Sequence, residues 1–263
     1  MAAKHRFYIL YSHLLGERRF RPHFDHRPCS HCRASSTAVT QFIIMKRKTL
    51  ALVHTSATLV PVFARLCQEK LPNVDTFNIV DDSLVRAIRT RGSLTADIAR
   101  RVAAYLESAE SGGADQVLVT CSSIGPAVDA AAPFVGVPVL RVDQPMADRA
   151  VQLGNRIGVV ATLATTLDPT AELVRRRAVL ADKRIALTAR LCEGAFESLM
   201  NGDAAQHDAK VAAALSELSQ QVDVIVLAQA SMARVVETLP EADRRVPILA
   251  SPALAIEHLS GIL

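Results

Sequence analysis

From Lys48 onward the chain alternates between two hydrophobic patterns. Short apolar runs recur at TLALVH (49–54), TFNIVD (76–81), QVLVT (116–120), PVLRV (138–142), RIGVVAT (156–162), RIALTA (184–189), VDVIVLA (222–228) and PILA (247–250). Runs this short and this continuously apolar suit strands covered on both faces. Between them, segments such as LTADIARRVAAYLESAE (94–110) set apolar residues three and four apart, the spacing of an amphipathic helix. Ser93, Thr95 and Asp97 offer capping oxygens at the start of that helix, and Gly112-Gly113 marks its end. The alternation predicts βα units on parallel sheets.

The pattern repeats. Sliding the chain by 108 residues lays KTLALVHTSATLVP (48–61) on RIGVVATLATTLDP (156–169) and ADQVLVTCSSIG (114–125) on VDVIVLAQASMA (222–233). One residue more lays PVL (138–140) on PIL (247–249). Matches recurring at one offset predict two similar α/β halves, each doubly wound and related by a pseudo-two-fold axis. The expected division is 46–145 with 241–263 in the first half and 146–240 in the second. Ligands of such folds bind where the carboxyl ends of the strands face each other. Four strand ends should therefore converge on one crevice: His54-Thr55-Ser56, Cys121-Ser122-Ser123, Thr162 to Thr166, and Gln229-Ala230-Ser231.

Composition separates residues 1–45 from the rest. They hold seven bases against two acids and five of the eight histidines, and no helical or strand period persists through them. Three readings compete. Cys29 and Cys32 have a zinc-like spacing with His23, His26 and His31 nearby, but no second pair follows downstream. A targeting segment would fit the Arg-rich, acid-poor character, without the apolar core of a secretory signal. The favoured reading is a disordered extension that carries no chemistry, and no metal site is expected anywhere in the chain. The remaining 218 residues carry 23 bases and 24 acids, so nothing in their charge points to nucleic acid or a membrane surface. Free cysteines without paired spacing, and no export signal, point to a reducing cytoplasm.

Cys121, in TCSSIGP, ends an apolar strand and opens a helix. A helix N-terminus favours negative charge, and the thiolate is the reactive form of cysteine. Ser122 and Ser123 add hydroxyls to the backbone N–H groups there, a combination that would hold a carboxylate. Cys67 and Cys192 lie inside helical patterns and are expected to be small buried hydrophobes. Asp81 and Asp82 are expected to cap the helix beginning at Ser83, and Arg175-Arg176-Arg177 to form a solvated helix face.

VLVTCSSIG, GVVATLATTLDPT and the pseudo-symmetry together resemble the aspartate/glutamate racemase superfamily, over residues 48–263. That group includes glutamate, aspartate and hydantoin racemases, maleate isomerase and arylmalonate decarboxylase. The resemblance implies two α/β halves, no cofactor, a small carboxylate substrate, and a cysteine at one strand end of each half that removes or returns a Cα proton. Cys121 falls on the first of these. The second falls on Gln229, an amide without proton-transfer capacity, so symmetric two-thiol racemisation is not expected.

His54 is the candidate to assist Cys121, either as an acid or base or as a merely hydrogen-bonded residue. Thr162, Thr165 and Thr166 match the family's Thr-bearing second-half loop and are expected at the substrate carboxylate, as helix caps, or both. Thr55, Ser56, Ser122, Ser123, Gln229 and Ser231 complete the expected binding set. The leading expectation is an isomerase or racemase using Cys121. The alternatives are one-thiol decarboxylation, cis–trans isomerisation through thiol addition, and a non-catalytic carboxylate binder. Apolar helix faces and the resemblance suggest a homo-oligomer.

Overall fold

The computed structural model describes residues 47–263. The expected disordered extension, with Cys29, Cys32 and their neighbouring histidines, lies outside the described residues. In chain order the elements are β1 (Lys48–His54), α1 (Val60–Lys70), β2 (Val74–Val80), α2 (Ser83–Arg91), α3 (Ala96–Ser111), β3 (Gln116–Val119), α4 (Gly125–Ala131), β4 (Val139–Arg141), α5 (Gln144–Leu153), β5 (Arg156–Ala161), α6 (Ala164–Leu180), β6 (Ala186–Leu191), α7 (Ala195–Met200), α8 (Ala204–Leu218), β7 (Val224–Leu227), α9 (Ala233–Thr238), β8 (Ile248–Ala250) and α10 (Ser251–Ser260).

Each expected strand forms. They build two four-stranded parallel sheets with the same order, β2-β1-β3-β4 and β6-β5-β7-β8. The central pairs β1/β3 and β5/β7 are the most continuously apolar segments, because helices cover both faces of each sheet. In the first sheet Ala51, Val53, Val117 and Val119 face α2, α3 and α4, while Leu50, Leu52 and Leu118 face Phe63 of α1. The edge strands β2 and β6 alternate exposed and half-buried positions instead.

The halves exchange a helix. After β4 of the first sheet, α5 packs Met146, Ala147, Ala150 and Val151 onto the second sheet's Val159, Ala161, Val224 and Val226. After β8 of the second sheet, α10 returns Ala255, Ile256 and Leu259 to the core under Leu50 and Leu52. The expected division therefore needs a correction. Residues 241–263 do not all go with the first half, because β8 is hydrogen-bonded to β7, with Ile225 opposite Ile248 and Leu227 opposite Ala250. Only α10 joins the first half.

The repeat also carries a register correction. Val53 pairs with Val119 and Val160 with Leu227, so β3 and β7 are related by 108 residues but β1 and β5 by 107. Thr55, and not His54, is thus the structural counterpart of Thr162. The strand starts confirm the symmetry: Asp115 Oδ2 accepts from the Thr49 amide at 2.9 Å, and Asp223 Oδ2 from the Arg156 amide at 2.8 Å.

A buried ion network ties α4 of the first half to α6 of the second. Arg141, 3% exposed, donates to Asp143 through two nitrogens and to Asp129 at 2.7 Å. Asp129 also accepts from Arg176 at 2.6 Å. Gly125 lies against this guanidinium, and a Cβ there would fall 2.2 Å from Arg141 Cζ. The Arg175-Arg176-Arg177 face is therefore not simply solvated: Arg176 reaches Asp129 across the halves and Arg177 pairs with Asp148 of α5. At the start of α2, Asp81 Oδ1 accepts from the Ser83 amide at 3.0 Å, whereas Asp82 makes no side-chain cap. No described helix is long and apolar enough to cross a membrane.

Candidate active site

The carboxyl ends of β1, β3 and β7 open, with the loop before α6, onto a cavity of about 470 Å³ between the halves. Thr55, Ser56, Cys121, Ser122, Ser123, Thr166, Gln229 and Ser231 all line it. The strands put them there for one reason. Each polar group sits one to five residues past the last buried apolar position of its strand, where the chain passes from sheet to helix.

Cys121 follows β3 in extended conformation, φ −133° and ψ 119°, and begins the turn Ser122–Ile124 that leads into α4. Gln229 follows β7 in nearly the same conformation, φ −135° and ψ 137°, before the turn Ala230–Met232. The two side chains hold equivalent places on opposite halves. Cys121 is half-buried on the cavity, whereas Cys67 and Cys192 are enclosed in the core, and burial pushes both of those thiols up to about 11. Both are buried hydrophobes as expected, but only Cys67 lies in a helix; Cys192 follows β6, against the helical pattern expected around it.

Gln229 is anchored. Its Oε1 accepts from the Thr162 amide at 2.6 Å and from the Thr162 hydroxyl at 3.1 Å. Thr162 is buried, and it reaches the cavity only through Gln229. Across the halves, the hydroxyls of Ser123 and Thr166 meet at 3.0 Å.

His54 requires a correction. It is fully buried, and it is not on the cavity wall. Its Nε2 lies 2.9 Å from Asn78 Oδ1 of β2 and its Nδ1 lies 2.8 Å from the hydroxyl of Thr120, the residue after β3, with Phe63 tilted against the ring. A neutral imidazole satisfies both contacts, donating from Nε2 and accepting at Nδ1. Desolvation holds its pKa below the ordinary 6.5, against a smaller upward pull from Asn78. Strand alternation turns residue 54 to the same face as Leu50 and Leu52, which points it into the core. His54 is thus a brace between strands and not the acid or base of the crevice. Thr165 also misses this cavity: its buried hydroxyl has no partner, and the residue lines two smaller surface depressions.

Several lining residues were not expected. Val85, Leu163, Phe196, Leu199 and Met200 form an apolar wall, and Asp82 and Arg89 of α2 add charge. The Arg89 guanidinium lies 4.4 Å from the centre of the Phe196 ring, joining α2 of one half to α7 of the other, and it makes no ion pair among the described residues. One signal for Arg89 was present: SLVRAIRTR (83–91) holds three arginines and no acid beside a strand end. Nothing local in AFESLM distinguishes Phe196 from a core aromatic.

Comparison with known proteins gives this geometry its context. The family model for Asp/Glu/hydantoin racemases matches residues 52–259. The chain belongs to this family. Its fold is shared with a glutamate racemase from Bacillus anthracis (18% identity, 83% of this chain and 82% of that one, TM-score 0.65). It is shared also with an allantoin racemase from Klebsiella pneumoniae (17%, 82% and 87%, 0.58) and an aspartate racemase from Picrophilus torridus (14%, 81% and 94%, 0.61). No curated protein sequence matches the chain. In the racemase family's two-half architecture, then, this member presents one thiol and one amide at equivalent strand ends.

Proposed function

We propose that this protein is a cofactor-independent enzyme of the isomerase and racemase type that acts on a small carboxylate, with Cys121 as the proton-transferring thiol. One observation carries the reading: Cys121 is the single described cysteine on the cavity between the halves, and it stands at a strand end among Ser122, Ser123 and Thr55. A substrate carboxylate held by these hydroxyls and by backbone N–H groups would place its neighbouring carbon against the sulfur. The thiolate takes the Cα proton, an S–H bond forms as the C–H bond breaks, and the electron pair moves into the carboxylate as an enediolate. Preorganised donors lower the energy of that charge, usually the largest catalytic contribution. A water molecule on the Gln229 side gives a proton to the opposite face and inverts the centre, and the hydroxide left behind takes the proton from the Cys121 thiol.

A second reading draws on Gln229. An amide cannot deliver that opposite-face proton. In a malonate, loss of CO₂ breaks a C–C bond, leaves the same enediolate, and needs one proton from Cys121 to complete it. Cis–trans isomerisation through addition of the thiol to a double bond likewise needs one thiol. The related racemases are named for glutamate, aspartate and allantoin, and these define the first compounds to try. The experiment incubates the full chain with aspartate, glutamate, hydantoins, maleate and substituted malonates, and follows products by chiral chromatography. Racemisation, isomerisation or decarboxylation that Cys121→Ala abolishes supports the enzyme. Binding without turnover across the panel would overturn it in favour of a carboxylate-binding protein.

A further inference from the structure

The amide of Gln229 has a defined orientation. The backbone N–H of Thr162 can only donate, so the Gln229 atom 2.6 Å from it has to be the carbonyl oxygen. The Thr162 hydroxyl, 3.1 Å away, donates to the same oxygen. With Oε1 held twice, the –NH₂ group is turned away from Thr162, and it donates to no protein group among the described residues. The side chain lines the same cavity as Cys121, from the equivalent strand end of the other half.

We infer that Gln229 is a dedicated donor to the substrate carboxylate, holding through Nε2–H the group whose negative charge grows when Cys121 works on the adjacent carbon. The inference rests on the proposed role of Cys121 and adds the partner on the other face. Two features favour it over a merely structural amide. The anchor comes from Thr162, the counterpart of Thr55 in the first half, so the donor is set by the same strand-end geometry that sets the thiol's surroundings. And two N–H groups without a protein acceptor among the described residues, on a side chain that lines a cavity, suit a ligand that only accepts, which a carboxylate does. The inference assigns the substrate a carboxylate close to the reacting carbon, because the donor and the thiol line the same pocket from equivalent strand ends.

Iodoacetate tests this without knowledge of the substrate. It carries a carboxylate on the carbon that a thiolate attacks; the sulfur–carbon bond forms and iodide leaves. Iodoacetamide undergoes the same displacement without the charge. Peptide mass spectrometry of the full chain gives the rate of each reagent at Cys121. The expected ratio of iodoacetate to iodoacetamide at Cys121 exceeds that of Cys67 and Cys192 in the urea-unfolded chain by about tenfold or more, the usual scale of a hydrogen bond to a charged group. Gln229→Glu keeps an oxygen for Thr162 and replaces the donor by a repelling charge. It should erase the preference, read as the ratio of the two rates so that any change in the thiolate population of Cys121 cancels. Gln229→Leu should erase it without adding charge. A preference that survives both variants overturns the role of Gln229. A Cys121 that reacts with neither reagent overturns the proposed thiol itself, a different outcome.

Discussion

Ser123 Oγ and Thr166 Oγ1 lie 3.0 Å apart, and this hydroxyl pair lines the cavity across the boundary between the two halves. Both residues are buried, at 3% and 4% exposure, so neither hydroxyl is fully replaced by water when the other is removed. Ser123→Ala or Thr166→Val alone should cost about 1–3 kcal/mol, because each strands its partner. The double variant should recover part of that loss, since replacing both partners leaves no stranded group. Urea unfolding of the four proteins gives the coupling; strictly additive losses would show that the pair does not hold the halves.

Gly125 is required by Arg141. The guanidinium is fixed by Asp143 and Asp129 and cannot swing away from a new methyl group. Gly125→Ala should therefore disturb the same buried pairs that Arg141→Met removes outright, a loss of about 3–5 kcal/mol for a broken buried pair. Thermal unfolding of both variants checks this. A Gly125→Ala protein as stable as the parent would mean that Arg141 has another place to go.

The placement of His54 gives a pH dependence with a definite sign. Burial keeps its folded-state pKa below 6.5, so as pH falls the unfolded chain takes up a proton that the folded one refuses. The His54 contribution is fully present above about pH 6.5 and is lost progressively below it, at no more than about 1.4 kcal/mol per pH unit. His54→Asn should flatten the fall in stability between pH 7.5 and 5.5, measured by urea unfolding. An unchanged slope would assign that fall to other groups.

Cysteine reactivity should follow burial. At pH 7.5, iodoacetamide should label Cys121 well ahead of Cys67 and Cys192, whose thiols burial pushes up to about 11. Labelling of all three at one slow rate would remove the distinction on which the site rests.

The eight strands, both sheets and the crevice were legible because buried parallel strands write themselves as unbroken apolar runs, and because the chain writes them twice. Cys121, Ser122, Ser123 and Gln229 were legible for the same reason, each following such a run. His54 was not, since a strand's last residue points to one face or the other, and alignment of letters cannot see that β1 and β5 match at 107 instead of 108. The place of β8 was hidden by the exchange of α5 and α10, a packing choice with no local signature. Arg89 and Phe196 meet only because α2 and α7 approach across the halves.

The role of Cys121 is tested most directly by proton exchange at carbon. Proton NMR of the carboxylate panel in D₂O, with the full chain and with Cys121→Ala, follows the signal of the hydrogen next to the carboxylate. The parent protein is expected to remove this signal from at least one member, or to place deuterium at that carbon during loss of CO₂, and Cys121→Ala to do neither. Exchange that persists in Cys121→Ala would contradict that role, because some group other than this thiol would then be moving the proton.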